Sequence, residues 1–257
     1  MDLNIANRRA LVLGGNRGMG LAIAQRLAAE GCQVAIAGRD THALAQAAST
    51  MPGAKGYRLD LSQTEDLARF ARELIADFGA PEILINNTGG PPYGGASGRK
   101  LEEWETSFRS MVMSVIGLTD LFLPTMRAAH WGRILTVVST GAVQPLPVLG
   151  ISNSLRAALI AWSKTLAGEI AADGVTTNIL MPGRIATERV HITDEATASR
   201  ENIPVEDVRR RSWAQIPMGR YGKPEEIAAA AAFACSDLAS YMTGSVLRVD
   251  GGFVRHV

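Results

Sequence analysis

The chain is poor in cysteine, in net charge and in long apolar runs, and each scarcity removes a class of function. Only Cys32 and Cys235 occur among 257 residues, without Cys-x-x-Cys or Cys/His spacing, so neither a disulfide framework nor a metal site is expected and a reducing cytosol fits. With 26 Lys/Arg against 25 Asp/Glu the formal net charge is +1, which gives no electrostatic reason to expect nucleic acid or a membrane surface as a partner. No stretch of about 18 consecutive apolar residues occurs. The start, Met1-Asp-Leu-Asn-Ile-Ala6, lacks a basic segment followed by an apolar one, so a soluble, unprocessed cytoplasmic protein is expected. No repeat or low-complexity tract is visible.

What is present is a 47% hydrophobic share beside 20% charged residues, suited to one α/β domain spanning 1–257 with a sizeable core. Short β-rich runs alternate with stretches of helical period, the pattern of βαβ units. Seven strands are expected, over 9–13, 33–37, 55–58, 82–86, 133–138, 176–181 and 245–249. Strands four to six and the last are mostly apolar, as for strands covered on both faces. Right-handed crossovers then predict a Rossmann-type, doubly wound, parallel seven-stranded sheet with helices on both faces. The rhythm fails only between Gly183 and Pro224, where 184–223 reads as a substrate lid.

Gly14-Gly-Asn-Arg-Gly18-Met-Gly20 follows the first strand and opens a helix. Glycines there permit a tight turn, and free N–H groups at the helix start attract phosphate, so a dinucleotide is expected. The second strand ends Ala37-Gly38-Arg39 with no acid at its tip to bind a ribose 2′-hydroxyl. Arg39 and Arg17 suit a 2′-phosphate instead, which favours NADP, with NAD open because Asp40 follows. Capping of the next helix is the plainer role for Asp40.

Further stretches join these: Asn86-Asn-Thr-Gly89, Ser139, Ser152-Asn-Ser-Leu-Arg156-Ala-Ala-Leu159, Pro182-Gly183 with Thr187, and Thr243-Gly-Ser-Val-Leu-Arg-Val-Asp-Gly-Gly252. Together they resemble the short-chain dehydrogenase/reductase family over nearly the whole chain, most like its 3-oxoacyl-(acyl-carrier-protein) reductase branch. The resemblance implies cofactor contacts from Gly14, Asn16, Arg17, Gly18, Met19, Gly20, Arg39, Asp60, Leu61, Asn87, Gly89, Arg156, Pro182, Gly183, Ile185 and Thr187. It departs at Leu13, where the family pattern has threonine.

The family's reaction centre is an Asn-Ser-Tyr-Lys tetrad, and the matching positions here are Ser114, Ser139, Ser152 and Arg156. Only the serine at 139 is retained. A phenol near pKa 10 can be tuned toward neutrality, whereas an aliphatic hydroxyl is too weak an acid to donate readily. Arg156 keeps a positive charge one helical turn from Ser152 but cannot release its proton. Tyr93 and His191 are the remaining candidate acids, each with a plainer reading as a packing or surface residue. Lys164, about 12 Å along the helix from Arg156, is too far to substitute. Arg184, Arg189, Arg209, Arg210 and Arg211 could select an anionic substrate, though a solvated helix face is the simpler account.

Two functions remain open on this reading. One is an NADP(H)-dependent oxidoreductase acting on a small carbonyl or alcohol with non-standard proton delivery. The other is a catalytically impaired dinucleotide-binding protein with a regulatory or assembly role. The resemblance also implies a homotetramer or dimer, with Leu118–Met126 and Leu155–Ile170 apolar enough to contribute, although burial within one chain would read the same way.

Overall fold

In the computed structural model, residues 2–256 are described. Seven parallel strands form one sheet: β1 (Arg9–Leu13), β2 (Gln33–Gly38), β3 (Lys55–Arg58), β4 (Ile83–Asn86), β5 (Gly132–Val137), β6 (Val175–Pro182) and β7 (Val246–Val249). Their order is β3-β2-β1-β4-β5-β6-β7, so the winding reverses between β1 and β4, the place where doubly wound sheets leave a crevice at their carboxyl ends. Each expected strand lies within one residue of the observed one at either end. The expected seven-stranded Rossmann-type sheet is the observed one.

Alternation along β1 explains why both faces are covered. Ala10 and Val12 join one apolar cluster, with Ile23 and Leu27 of α1 (Gly18–Ala29) and Ile227 and Ala231 of α9 (Pro224–Ala234). Leu11 and Leu13 join the opposite cluster, with Phe70 and Leu74 of α3 (Leu67–Asp77) and Phe122 of α5 (Ser114–Ala128). A strand buried on both sides has no polar face to spare. β7 is a correction to that expectation: at the edge of the sheet it leaves Val246 41% exposed, while Leu247 and Val249 pack partly against the core.

α4 (Leu101–Phe108), a π-helical turn at Arg109–Met113 and α5 run on as one 28-residue helix, long and apolar enough by composition to cross a membrane. Half of its most apolar window is buried in the protein, however, as in a core helix. Leu118, Phe122 and Met126, and Leu155, Leu159, Leu166 and Ile170 of α6 (Gly150–Ile170), lie in the core, so the apolar stretches noted for assembly serve mainly this chain's own packing. The segment after β6 is helical, with α7 (Glu188–Glu201) and α8 (Val205–Ala214). α2 (Thr41–Ala48) completes the set.

Candidate active site

The crevice between β1 and β4 is built by three glycines and one asparagine. Gly14 and Gly18 hold positive φ, +61° and +54°, conformations that other residues adopt only under strain. Gly20 has ordinary backbone, but a Cβ there would lie 2.7 Å from Asn87 Nδ2 and 2.8 Å from the Gly14 carbonyl carbon. Asn87 Nδ2 donates to the carbonyls of Leu13 (3.2 Å) and Gly14 (3.4 Å), tying the end of β4 to the turn after β1. The first turn of α1 therefore starts against the loop with its N–H groups free, an anion site by geometry. Arg17, extended and exposed, precedes the helix, and Met19 packs partly against the core.

Other distant segments converge on this cradle. The Thr187 methyl carbon stands 3.6 Å from where a Gly18 Cβ would be, so the loop after β6 meets the loop after β1. Pro182 pairs with Val249, and a Cβ on Gly183 would come 2.6 Å from Asp250 Cα. Ile185 is buried and bridged to Gly222. Asn16 Oδ1 faces Gly38, 3.2 Å from a Cβ placed there, which brings the glycine loop to the tip of β2. Gly89 has open space, with nothing within 4 Å of its Cβ position.

At the β2 tip the two candidate charges separate. Asp40 Oδ1 accepts from Ala43 N at 3.0 Å and caps α2, its plainer role. Arg39 is exposed and has no such engagement. Asp60, followed by half-buried Leu61, accepts from Ser62 N (3.0 Å) and Ser62 Oγ (2.8 Å). The Ser62 backbone N–H, and then its hydroxyl with Arg39 and Arg58, hold that carboxyl below the usual range against its partial burial.

The reaction centre is organised around Arg156. Its guanidinium is buried, and Nη1 donates to Val137 O at 2.7 Å and Nη2 to Thr88 O at 3.4 Å. Burial, and then the like charge of Arg189, bring its pKa down to about 10, which still leaves it charged at neutral pH. Those carbonyls lie at the ends of β5 and β4, so Arg156 ties α6 to the same edge of the sheet as the cradle. Neither Thr88 nor Val137 could be singled out from sequence, because what marks them is a backbone oxygen met by a side chain far along the chain.

Ser139 Oγ accepts from Gly141 N at 3.2 Å, so its proton is free to point outward. Gly141 touches Asn153, next to Ser152 on α6. Ser152 is nearly buried, and its hydroxyl has no protein partner among the described residues. Ser114 stands apart: it is fully buried and its Oγ donates to Ser110 O at 2.8 Å, within the helix. The Ser114 proton is therefore engaged within its own helix, the back-bonding common to helical serines, and its lone pairs are what it offers to other groups.

The remaining candidates lie on the loop after β4, on α6 and in the segment after β6. The Tyr93 hydroxyl meets Thr193 Oγ1 at 2.7 Å and His191 is exposed on α7. Lys164 lies beside Gly244, its Nζ 3.0 Å from the Cβ position there. Arg209, Arg210 and Arg211 pair with Glu206, Asp207 and Glu201. Arg184 pairs with the fully buried Asp194, which also accepts from the Tyr221 hydroxyl at 2.9 Å. These contacts fasten α7, and sequence spacing carried no sign of the Asp194–Tyr221 bond.

A family model described as enoyl-(acyl carrier protein) reductase matches residues 14–254. The chain is 35% identical to the 3-oxoacyl-[acyl-carrier-protein] reductase of Escherichia coli (strain K12), over 97% of this chain and 98% of that one. The chain belongs to the short-chain dehydrogenase/reductase family. Within that family it is also 32% identical to the D-beta-hydroxybutyrate dehydrogenase of Cupriavidus necator, over 96% of this chain and 98% of the other. The crystal structure of L-sorbose reductase from Gluconobacter frateurii, complexed with NADPH and L-sorbose, superimposes with a TM-score of 0.94 at 30% identity and full coverage of both chains. As a short-chain dehydrogenase/reductase the protein is an NAD(P)-dependent oxidoreductase of the carbonyl/alcohol type, carrying serine and arginine at the 152 and 156 positions of α6.

Proposed function

We propose that this chain is an NADP(H)-dependent oxidoreductase that interconverts a carbonyl and an alcohol without a tyrosine as proton donor. The observation that carries the reading is the division of labour at the β2 tip: Asp40 is spent on capping α2 while Arg39 stays free beside a complete glycine cradle. A 2′-phosphate suits a guanidinium there that forms no ion pair among the described residues, with the Asp40 carboxylate taken up by the N-terminus of α2. The solved L-sorbose reductase bound to NADPH supports the same cofactor.

The residues fit a dinucleotide: α1 and the turns at Gly14 and Gly18 would hold the phosphates, Arg17 and Arg39 the 2′-phosphate, Asp60 and Leu61 the adenine end. Asn87, Gly89, Ile185 and Thr187 would line the nicotinamide end. When bound, NADP(H) supplies or accepts the hydride. Ser139 then orients the substrate oxygen by donating its free proton. Arg156 has used only two of its donors on carbonyls; its fixed charge favours negative charge developing nearby and its remaining donors suit a ribose hydroxyl. Ser152, shorter than a phenol, leaves room for a water, which its hydroxyl positions and which passes a proton from solvent to the oxygen, being reprotonated as it does so.

The test is NADPH oxidation followed by absorbance over a panel of ketones and oxo acids. Turnover is expected, falling about 10²–10³-fold in Ser139→Ala. The double variant Ser152→Tyr/Arg156→Lys is expected to raise the rate by about tenfold or more and to introduce a basic limb in its pH profile. NADPH binding without consumption of any substrate would favour the other reading, a dinucleotide-binding protein without catalysis.

We further infer a homo-oligomer, dimer or tetramer. Exposed Phe108, Met113 and Leu121 along the α4–α5 helix and Val246 on β7 support it. The segment 184–223 acts as the substrate lid.

A further inference from the structure

Seven arginines lie between Arg184 and Arg220, and six of them pair with an acidic side chain. Arg189, in the first turn of α7, has no such partner among the described residues, yet its position is fixed. Thr193 Oγ1 donates to the Arg189 carbonyl at 2.7 Å. That uses the threonine's proton, so the Tyr93 hydroxyl, 2.7 Å away, is the donor in the second bond. The loop after β4 is thereby fastened to the turn that carries Arg189. The guanidinium lies 5.9 Å from the Tyr93 ring centre and rests on Gly90, where a Cβ would come 2.8 Å from Nη2.

Two residues before Gly90, the Thr88 carbonyl accepts from Arg156. Two guanidiniums from separate elements therefore meet the short stretch 88–90, at Thr88 and at Gly90, and Gly89 in its middle has nothing within 4 Å of its Cβ position. The Arg189 charge acts on Arg156, and no carboxylate tempers that effect. Holding two like charges near one crevice is unfavourable unless something anionic enters it. Arg156 is enclosed, bound to two carbonyls, and its remaining donors are assigned to the ribose, so the exposed Arg189 is the guanidinium open to an added anion, and a monoanion matches it. A planar carboxylate suits the guanidinium fork.

We propose that Arg189 anchors a carboxylate on the substrate, so that the carbonyl compound reduced here is an oxo acid and not a neutral ketone. This rests on the reading of the crevice as a reductase site, and the test separates the two. The NADP⁺-saturated protein is titrated by calorimetry with acetoacetate, 4-methyl-2-oxopentanoate and phenylpyruvate, each beside its methyl ester. At least one acid is expected to bind tenfold or more tightly than its ester. That preference disappears in Arg189→Gln, survives in part in Arg189→Lys and is intact in Arg200→Gln, a paired arginine of the same helix. NADP⁺ affinity is unchanged in Arg189→Gln. The proposal is overturned if no acid is preferred, if the preference survives Arg189→Gln, or if Arg189→Gln weakens NADP⁺ by as much, which would make the anion a cofactor phosphate. Binding with this preference but without NADPH oxidation would leave the carboxylate site standing and remove the reductase reading.

Discussion

Replacing Gly20 and Gly89 separately with alanine distinguishes space the fold needs from space the cofactor needs. A methyl on Gly20 would stand 2.8 Å from the Gly14 carbonyl carbon and 2.7 Å from Asn87 Nδ2, where nonbonded carbon contacts ordinarily lie at about 3.5–4 Å. The start of α1 must retreat by about 1 Å, because the obstacle is backbone and cannot rotate away. Strain of this kind costs about 1–3 kcal/mol, and the better helix propensity of alanine returns at most about 1 kcal/mol. With the strain in the upper part of that range, because the obstacle is backbone, the net loss of about 1–2 kcal/mol lowers Tm by roughly 2–8 °C for a chain of this size. Gly89 has nothing within 4 Å of its Cβ position and no positive φ, so its alanine variant should melt within about 1 °C of the parent. Fluorescence titration with NADPH should nevertheless show at least a tenfold weaker Kd, about 1.4 kcal/mol, for both variants. In Gly20→Ala the N–H groups are displaced, and in Gly89→Ala the cofactor's room is filled. If Gly20→Ala melts and binds like the parent, the close helix–loop approach is not what builds the cradle. Unchanged binding in Gly89→Ala would place the cofactor elsewhere.

Arg39→Gln should weaken NADPH by about tenfold or more while leaving NADH nearly untouched, as competing titrations with the two cofactors would report. Asp194→Ala strands Arg184 and Tyr221 and should cost about 3 kcal/mol, with hydrogen exchange rising first in α7 and α8; uniform exchange across the sheet would show that the contact does not govern this segment. Burial, chiefly, pushes the thiols of Cys32 and Cys235 up to about 12 from 9.0. Neither should react with a disulfide reagent at pH 8 until the protein unfolds. Because the native thiols keep their protons when the unfolded ones ionise, stability should fall as pH rises above about 9. Rapid labelling of the native protein at pH 8 would contradict this.

The chain's own sequence determined the strands, their parallel arrangement and the phosphate loop, because these follow from local signals: apolar runs, glycine spacing and a helix beginning directly after β1. It also placed serine and arginine where a tyrosine and a lysine were expected. It did not determine what those residues do. Arg156 is engaged by the carbonyls of Val137 and Thr88, 19 and 68 positions away in the chain. Ser114 is spent on its own helix, and Asp40 on a cap that frees Arg39. Among the arginines of 184–223 a count of charges treats all alike, and only the ion pairs of the folded chain leave Arg189 without one. Periodicity reports which face of an element is apolar. Which charged group is left unpaired is decided by contacts between distant segments, and these exist only once the chain has folded.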